Sequence, residues 1–248
     1  MRGMLLRSAL YGERDKLATL FTPQLGVIRA RVTSAAQTDS KLGPLLMPPL
    51  LGAFTLARGN SPISILAGIE PEEKFAEWRS SSLHIRCAGV MLAALEGLDA
   101  PEKTNRQFLE LATGILKCFS ARPMDGLAVF LVKALSLLGL LGGEGQCSVC
   151  GCDIASATAA APLDLSAFIC TECYNRLYEG KEVSAIFIHT KDIRAIGGIV
   201  EGRIDDCLSF DIGDETKTLI FSLAEARLPD MLPKATIAMI RLLTCGGH

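Results

Sequence analysis

Two pairs of cysteines constrain this chain more than any other feature of its sequence. Each pair has the spacing Cys-x-x-Cys, and nineteen residues separate the pair Cys147 and Cys150 from the pair Cys170 and Cys173. This is the spacing of four-cysteine zinc sites, in which two tight turns each present two thiolates. Four thiolates fill the tetrahedron that zinc prefers and leave no open position for water. The sequence therefore predicts one structural zinc ion bound by these four cysteines.

Alternatives to this ligand set stay open. Cys152 lies two residues after Cys150 and offers a ligand in its place. The cysteines could instead form disulfides or a redox-active pair. Against disulfides, the chain has nine cysteines, an odd number, and no recognisable secretory signal. The loop could also have lost its metal.

The charge of the chain is unevenly distributed. Its net charge is −2, but residues 1–70 carry eight basic and four acidic side chains, so the remainder is net acidic. A cationic N-terminal part favours an anionic partner. The longest apolar stretch, residues 126–143, contains Lys133 and falls short of the roughly 20 residues of a membrane span. We therefore predict a buried helix there, no membrane contact, and a cytoplasmic location, which unpaired cysteines favour.

The first seventy residues have the pattern of short strands separated by turn signals. Apolar and polar residues alternate over residues 27–32, which predicts a half-buried strand with Arg29 and Arg31 on its solvent face. Further strands are predicted over residues 4–10, 16–21, 50–57 and 63–69, with a turn at residues 58–62. Five strands in this length predict a small antiparallel barrel of the OB-fold type. Tyr11, Phe21 and Phe54 are predicted to lie in its core, the alternative for each being a platform on which a base of a single strand stacks.

After Glu70 the hydrophobic period becomes that of helices. Pro71, Glu72 and Glu73 are predicted to open the first one, because proline and acidic residues suit a first turn. Further helices are predicted over residues 101–119, 126–141, 184–199, 216–228 and 232–243. The prediction is thus an α+β chain. An OB-fold domain spans residues 1–72, and a helical domain spans residues 73–248 with a zinc-binding module at about residues 145–178.

No motif for covalent chemistry is recognisable. The phosphate-binding loop, the dinucleotide fingerprint, the nucleophile elbow and the zinc-protease helix are all absent from the sequence. We therefore predict that the chain is not an enzyme.

The order of several motifs indicates a family. The segments are YGERDKLATLFTPQLGVIRA, KLGPLLMPP and LLGLLGG, followed by CSVCG and a distal CTEC. In this order they resemble the RecO family of bacterial recombination mediators. The resemblance implies an N-terminal OB-fold, a helical domain with the cysteine module inserted, and zinc ligands at Cys147, Cys150, Cys170 and Cys173.

The same resemblance implies a role in DNA repair and homologous recombination. Members of the family bind single- and double-stranded DNA and anneal complementary strands. With RecR, they help to load RecA onto strands coated by single-stranded DNA-binding protein. The implied location is the cytoplasm, in association with the nucleoid.

One departure from the family concerns the loop after the third strand. The family usually carries a basic run there, whereas TSAAQTDSKLG has Lys41 as its single basic residue. Phosphate contacts supply most nonspecific affinity for DNA and its salt dependence. We therefore predict weak, salt-sensitive DNA binding. The predicted contacts are Arg14, Lys16, Arg29, Arg31, Lys41 and Arg58.

Two other functional interpretations remain open. The first is a zinc-ribbon adaptor that acts only through protein–protein contacts. The second is a thiol–disulfide oxidoreductase that uses one Cys-x-x-Cys pair. A strand-annealing assay separates the first from a recombination mediator, and metal analysis separates the second.

Overall fold

The computed structural model describes most of the chain and divides it into two units. The described residues are 1–57, 63–141, 145–154, 159–162, 165–181, 183–209, 211–228 and 232–245. The first unit is Met1–Ser120 and the second is Ala121–His248. The domain boundary predicted at residue 72 stays a prediction, but two helices that follow it share the first unit with the strands.

Five strands of the first unit form a closed barrel. They are β1 (Arg2–Tyr11), β2 (Asp15–Thr22), β3 (Gly26–Val32), β4 (Leu50–Ala57) and β5 (Ser64–Glu73). The strand order is β1-β2-β3-β5-β4, and β4 pairs back onto β1. All neighbours are antiparallel except β3 and β5, which are parallel. The predicted OB-fold barrel is confirmed.

The interior of the barrel follows from the two-residue period of its strands. Ala18, Leu20, Ala30 and Val32 belong to one buried cluster because alternate side chains point to the same face. Phe21 and Phe54 are fully buried, as predicted, but Tyr11 is 42% exposed. The prediction that Tyr11 is a core residue is wrong, because it is the last residue of β1 and borders the turn to β2.

Two glycines in the strands that close the barrel allow β1 to approach β2 and β4 to approach β5. A Cβ atom on Gly3 would lie 2.5 Å from the carbonyl oxygen of Phe21, and one on Gly52 would lie 2.5 Å from that of Glu70. No side chain fits at such distances, so both positions need glycine. Gly3 and Gly52 also face each other in the pairing of β1 with β4.

Two helices complete the first unit: α1 (Ser82–Glu96) and α2 (Glu102–Cys118). The prediction that Pro71, Glu72 and Glu73 open a helix is wrong, since these residues end β5. There Glu73 pairs with Leu51 and Pro71 with Gly52, next to a bulge. Helix α1 begins later, at Ser82, and the side chain of its N-cap residue Ser81 accepts a hydrogen bond from the amide of His84.

Within its described residues, the second unit has five α-helices and a small sheet. The helices are α3 (Pro123–Leu137), α4 (Thr171–Tyr178), α5 (Thr190–Glu201), α6 (Asp214–Arg227) and α7 (Lys234–Cys245). The strands β6 (Ala159–Pro162), β7 (Ile169–Cys170) and β8 (Ala185–Ile188) form a sheet in the order β7-β6-β8. The helix predicted over residues 184–199 is wrong for its first part, because Ala185–Ile188 pairs with β6.

Helix α3 is the apolar stretch singled out in the sequence. It is buried on almost every side and packs against α5 and α6, as expected for a central helix. Its one lysine, Lys133, donates a hydrogen bond of 2.7 Å to the carbonyl oxygen of Gly202. Among the described residues, no helix has both the length and the hydropathy needed to cross a membrane.

Candidate metal centre and nucleic-acid interface

Five cysteines come together where the small sheet meets α4. The sulfur atoms of Cys147, Cys150, Cys152 and Cys170 all lie within 4.8 Å of one another. The sulfurs of Cys150 and Cys170 are 3.8 Å apart. A zinc ion with four sulfurs at roughly 2.3 Å in a tetrahedron places neighbouring sulfurs about 3.8 Å apart. The cluster therefore has the donor atoms and the spacing of a four-thiolate zinc site.

The first part of the cluster is a tight turn. The amide of Cys147 donates to the carbonyl oxygen of Cys152, and the amide of Gly151 donates to that of Cys147, each at 2.8 Å. Gly151 has a φ of +73°, a conformation that glycine adopts without strain. The turn brings Cys150 and Cys152 back towards Cys147.

The second part is the junction of β7 and α4. Cys170 caps the helix, because its sulfur accepts a hydrogen bond of 3.4 Å from the amide of Cys173. The amide of Cys170 in turn donates to the sulfur of Cys147 at 3.3 Å, which ties the two parts together. The guanidinium of Arg176 lies 3.6 Å from the sulfur of Cys173.

These hydrogen bonds change the acidity of the thiols. Burial of Cys147 opposes ionisation, but amide donors from Cys170, Cys150 and Val149 outweigh it and lower its pKa to about 6. The amide of Cys152 lowers the pKa of Cys150. The sulfur of Cys150 raises the pKa of Cys152 to about 12. Burial, followed by the neighbouring sulfurs, raises that of Cys173 to about 12.

Five sulfurs compete for four positions. Three of the four predicted ligands, Cys147, Cys150 and Cys170, lie in the tight group, and the fourth member of that group is Cys152. Cys152 is exposed, whereas Cys173 is 4% exposed and its sulfur interacts with those of Cys170, Cys150 and Cys147. The sequence identified Cys152 as an alternative to Cys150. The structure makes it an alternative to Cys173.

A buried arginine, which no sequence motif indicated, binds backbone carbonyls beside the cysteine cluster. Arg227 at the end of α6 donates to the carbonyl oxygens of Leu140, Leu165 and Ala167 at 2.9, 2.9 and 3.2 Å. Its guanidinium also lies over the ring of Phe168, 5.7 Å from the centroid. Arg227 thus connects α6 with the segment that leads into β7.

The basic residues predicted to contact DNA are divided between different parts of the barrel. Arg29 and Arg31 lie on the outer face of β3, opposite Thr19 and Leu17 of β2. Lys16 pairs with Val32, whose side chain points inwards, so Lys16 lies on the other face near the end of the barrel. Arg14 is exposed in the turn after β1, and Lys41 is exposed in the loop after β3. Arg58 lies outside the described residues.

Two of these arginines already have carboxylate partners. The Nε of Arg31 is 2.5 Å from a carboxylate oxygen of Asp15. The guanidinium of Arg29 is 3.8 Å from Glu96, which also pairs with Arg7 at 3.3 Å. Both arginine side chains remain accessible, at 60% exposure for Arg29 and 45% for Arg31. A phosphate there would compete with these carboxylates.

A hollow on the barrel surface lies at the turn between β1 and β2. It has a volume of about 660 Å³, and its walls include Tyr11, Arg14 and Arg31. Leu10, the neighbour of Tyr11, is 72% exposed. An exposed aromatic ring beside cations is the combination that binds single-stranded nucleic acids.

Asp15 fixes the shape of this hollow and makes it sensitive to pH. The amide of Ser34 and then the guanidinium of Arg31 lower the pKa of the Asp15 carboxyl against the opposing effect of burial. A group with a lowered pKa stabilises the fold above its unfolded-state pKa of about 3.9. That contribution is lost as the pH falls through the folded-state pKa.

The Asp15→Asn variant is expected to lose this contribution. Above about pH 4 it should unfold at lower urea concentration than the wild type, and the difference should shrink on further acidification. Urea unfolding followed through Trp78, the single tryptophan, measures this in the first unit. Asp39→Asn, an exposed carboxyl in the loop after β3, is the control. A difference that does not vary with pH would contradict the assignment.

The chain is similar to known proteins of one family. The family model described as "Recombination protein O N terminal" matches residues 1–75, which include all five barrel strands. The chain is similar to the DNA repair protein RecO of Anaeromyxobacter sp. (strain K), with 26% identity over 176 residues, 70% of this chain and 69% of that protein. The match to RecO of Desulforamulus reducens has 26% identity over 171 residues, 68% and 66% of the two chains. That to RecO of Chlamydia pneumoniae has 29% over 151 residues, 60% and 59%. The resemblance found in the sequence is confirmed.

Proposed function

We propose, on the premise that this chain is a relative of the RecO proteins, that it acts in DNA repair by homologous recombination. The observation that carries the proposal is the match of the "Recombination protein O N terminal" model to the closed barrel. The chain binds single- and double-stranded DNA and anneals complementary strands without covalent chemistry. It works with RecR and single-stranded DNA-binding protein when RecA is loaded. The barrel supplies the surface for the strand.

The hollow at the β1–β2 turn is where we place the first contact with a single strand. Tyr11 offers a ring on which a base stacks, and each such contact contributes about 1–3 kcal/mol. Arg14 offers an exposed cation to a neighbouring phosphate. Arg31 lines the same hollow and reaches a second phosphate only in competition with Asp15.

The ion pairs on the barrel explain why binding should be weak and sensitive to salt. Phosphates must displace Asp15 from Arg31 and Glu96 from Arg29, and the loop after β3 adds Lys41 as its one cation. Few phosphates are therefore neutralised, which gives low affinity, and because this affinity is electrostatic it falls further as the salt concentration rises. In the cell, partner proteins would supply the remaining affinity.

Tyr11→Ala and Arg14→Ala are expected to weaken single-strand binding in different ways. Tyr11→Ala removes a stacking surface, so affinity should fall about 5- to 150-fold at every salt concentration. Arg14→Ala removes one phosphate contact, so the slope of log affinity against log salt should fall by about 0.7. Fluorescence anisotropy with a labelled oligonucleotide, repeated at several salt concentrations, measures both effects.

The matched control for this experiment is Arg106→Ala. Arg106 is an exposed arginine of α2 that pairs with Glu102 and lies outside the hollow, so its removal should leave binding unchanged. Equal binding by wild type, Tyr11→Ala and Arg14→Ala would exclude the hollow as the strand site. A failure of the wild-type protein to anneal complementary oligonucleotides would instead favour the adaptor that acts only through protein contacts.

The cysteine cluster completes the proposal with one structural zinc ion. Cys147, Cys150 and Cys170 would hold it together with Cys152 or Cys173, and the bound ion would supply a rigid link between the turn at Gly151 and helix α4. A measured content of about one zinc per chain, with no reactive Cys-x-x-Cys thiol pair, would distinguish this site from that of a thiol–disulfide oxidoreductase.

A further inference from the structure

The cysteine cluster contains one sulfur more than a tetrahedral zinc site can use. Three of the five residues are buried: Cys147 is 2% exposed, Cys170 is 8% exposed and Cys173 is 4% exposed. Cys150 and Cys152 are exposed. The susceptibility of a thiol to oxidation follows its exposure as well as its thiolate character. An oxidant dissolved in the solvent therefore reaches these two sulfurs before the other three.

Cys150 and Cys152 are also positioned to bond to each other. The thiol of Cys152 donates a hydrogen bond to the sulfur of Cys150, so the two side chains are already in contact. The chain turns back between them at Gly151, whose φ is +73°. Two Cα atoms that are two residues apart lie at most about 7 Å from each other, and a disulfide spans about 4.4–6.8 Å between Cα atoms. The bond can therefore form within this turn.

The buried sulfurs are held in place by other contacts. The sulfur of Cys170 lies 3.8 Å from that of Cys150, but it caps α4 by accepting the amide of Cys173. The sulfur of Cys147 accepts the amide of Cys170. A disulfide to either of them would draw a sulfur away from its amide donor and would cost that hydrogen bond. A disulfide within the exposed pair leaves both contacts intact.

We propose that Cys150 and Cys152 form a site of reversible oxidation, and that their disulfide opens the zinc site. The inference rests on the zinc centre of the proposed function. Whether the fourth ligand is Cys152 or Cys173, the disulfide leaves the same three sulfurs for the ion, those of Cys147, Cys170 and Cys173. Four thiolates close a zinc site against water, whereas three leave one position open.

The reaction needs an oxidant that accepts two electrons, and a peroxide is sufficient. The O–O bond of the peroxide breaks, and one oxygen stays on the sulfur of Cys150 as a sulfenic acid. The sulfur of Cys152 then attacks the sulfur of Cys150, the S–S bond forms, and the S–O bond breaks. In total, two thiols and one hydrogen peroxide give one disulfide and two waters, with hydroxide in place of a water for a sulfur that starts as a thiolate. A thiol reductant reverses the reaction by exchange.

Treatment of the zinc-loaded full chain with limiting hydrogen peroxide tests the proposal. Free thiols are blocked with iodoacetamide in denaturant, disulfides are reduced and labelled with heavy iodoacetamide, and tandem mass spectrometry assigns each label. We expect the heavy label on Cys150 and Cys152, and the light label on the other three cysteines of the cluster. A chromogenic chelator should report about one zinc released per disulfide formed. Dithiothreitol with added zinc should restore the metal content.

Two variants accompany the wild type. Cys152→Ser should lose the heavy label on Cys150, because the partner sulfur is missing. Cys118→Ser removes a thiol of α2 in the first unit and should give the label pattern and the zinc release of the wild type. The label pattern is read on the wild-type chain, so the result holds whether or not Cys152→Ser retains its zinc.

The contrary outcomes separate this inference from the zinc centre itself. Heavy label on Cys147, Cys170 or Cys173 in place of the exposed pair would overturn the proposed site of oxidation. A disulfide of the exposed pair that forms while the zinc stays bound would overturn the opening of the zinc site. A reduced wild-type chain that binds no zinc would overturn the zinc centre, and with it the opening, whatever the label pattern.

Discussion

The Cys170→Ser variant is expected to lose its zinc and, with it, the order of the segment that holds the cysteines. Cys170 occupies three roles at once: it lies 3.8 Å from the sulfur of Cys150, it caps α4, and its amide donates to Cys147. Serine can still cap a helix, but its hydroxyl is a poor ligand for zinc beside three thiolates. Apparent binding energies of structural zinc are about 10–16 kcal/mol in small domains, so losing the ion removes a large part of the local stability.

The measurements for this prediction separate metal content from folding. The zinc content measured by elemental analysis should fall from about one ion per chain to near zero. Hydrogen exchange should accelerate in α4 and β7, whereas the barrel amides should keep their protection. Cys118→Ser, which removes a thiol of α2 in the first unit, is the control. Full metal content in Cys170→Ser would refute Cys170 as a required ligand, since four other sulfurs of the cluster remain.

The same assay decides which sulfur is the fourth ligand. If Cys152 binds the ion, as the tight group of four sulfurs indicates, Cys152→Ser should lose metal and Cys173→Ser should keep it. The reverse result would restore the ligand set predicted from the sequence. Cobalt substitution reports the number of thiolates through its absorption. Full metal in both variants would mean that either sulfur can serve as the fourth ligand, and the variant with both substitutions should then lose the ion.

The barrel strands were predictable because the alternation of apolar and polar residues that marks each strand lies within a short segment of the sequence. Alternation in the segment that became β3 indicated which face is buried, and Arg29 and Arg31 are indeed exposed. The end of β5 was not predictable, because Pro71 and the two glutamates after it have the composition of a helix start. Only pairing with β4, the preceding strand, makes them part of a strand. The short strand Ala185–Ile188 was missed for the same reason, since it depends on β6.

The same limit applies to the side chains of the candidate sites. The local sequence indicates which residues take part, but the fold decides which groups they contact. Cysteine spacing predicted the cluster, but the choice between Cys152 and Cys173 depends on the turn at Gly151. The face of Arg29 was predictable, whereas its carboxylate partner Glu96 comes from a helix sixty-seven residues later.

The Arg227→Ala variant is expected to destabilise the second unit by about 3–5 kcal/mol. Arg227 is 8% exposed, and burial lowers the pKa of its guanidinium, which still remains charged near neutral pH. Its removal leaves the carbonyls of Leu140, Leu165 and Ala167 without their donor, at about 1–3 kcal/mol for each buried group, not fully additive, and opens a cavity beneath Phe168. Arg227→Lys should recover only part of the loss, because one ammonium cannot match the planar fork.

To test the Arg227 prediction, the unfolding of the two units must be measured separately. Trp78, the single tryptophan, reports on the first unit, whereas Tyr174 and Tyr178 lie beside the cysteine cluster in the second. Urea unfolding followed through hydrogen exchange of α4 and α6 should show the loss, and the module should release zinc more readily. Arg241→Ala, which removes an arginine that is 67% exposed and paired with Glu225, should cost less than about 1 kcal/mol. Equal costs for the two substitutions would mean that the buried guanidinium does not hold the module in place.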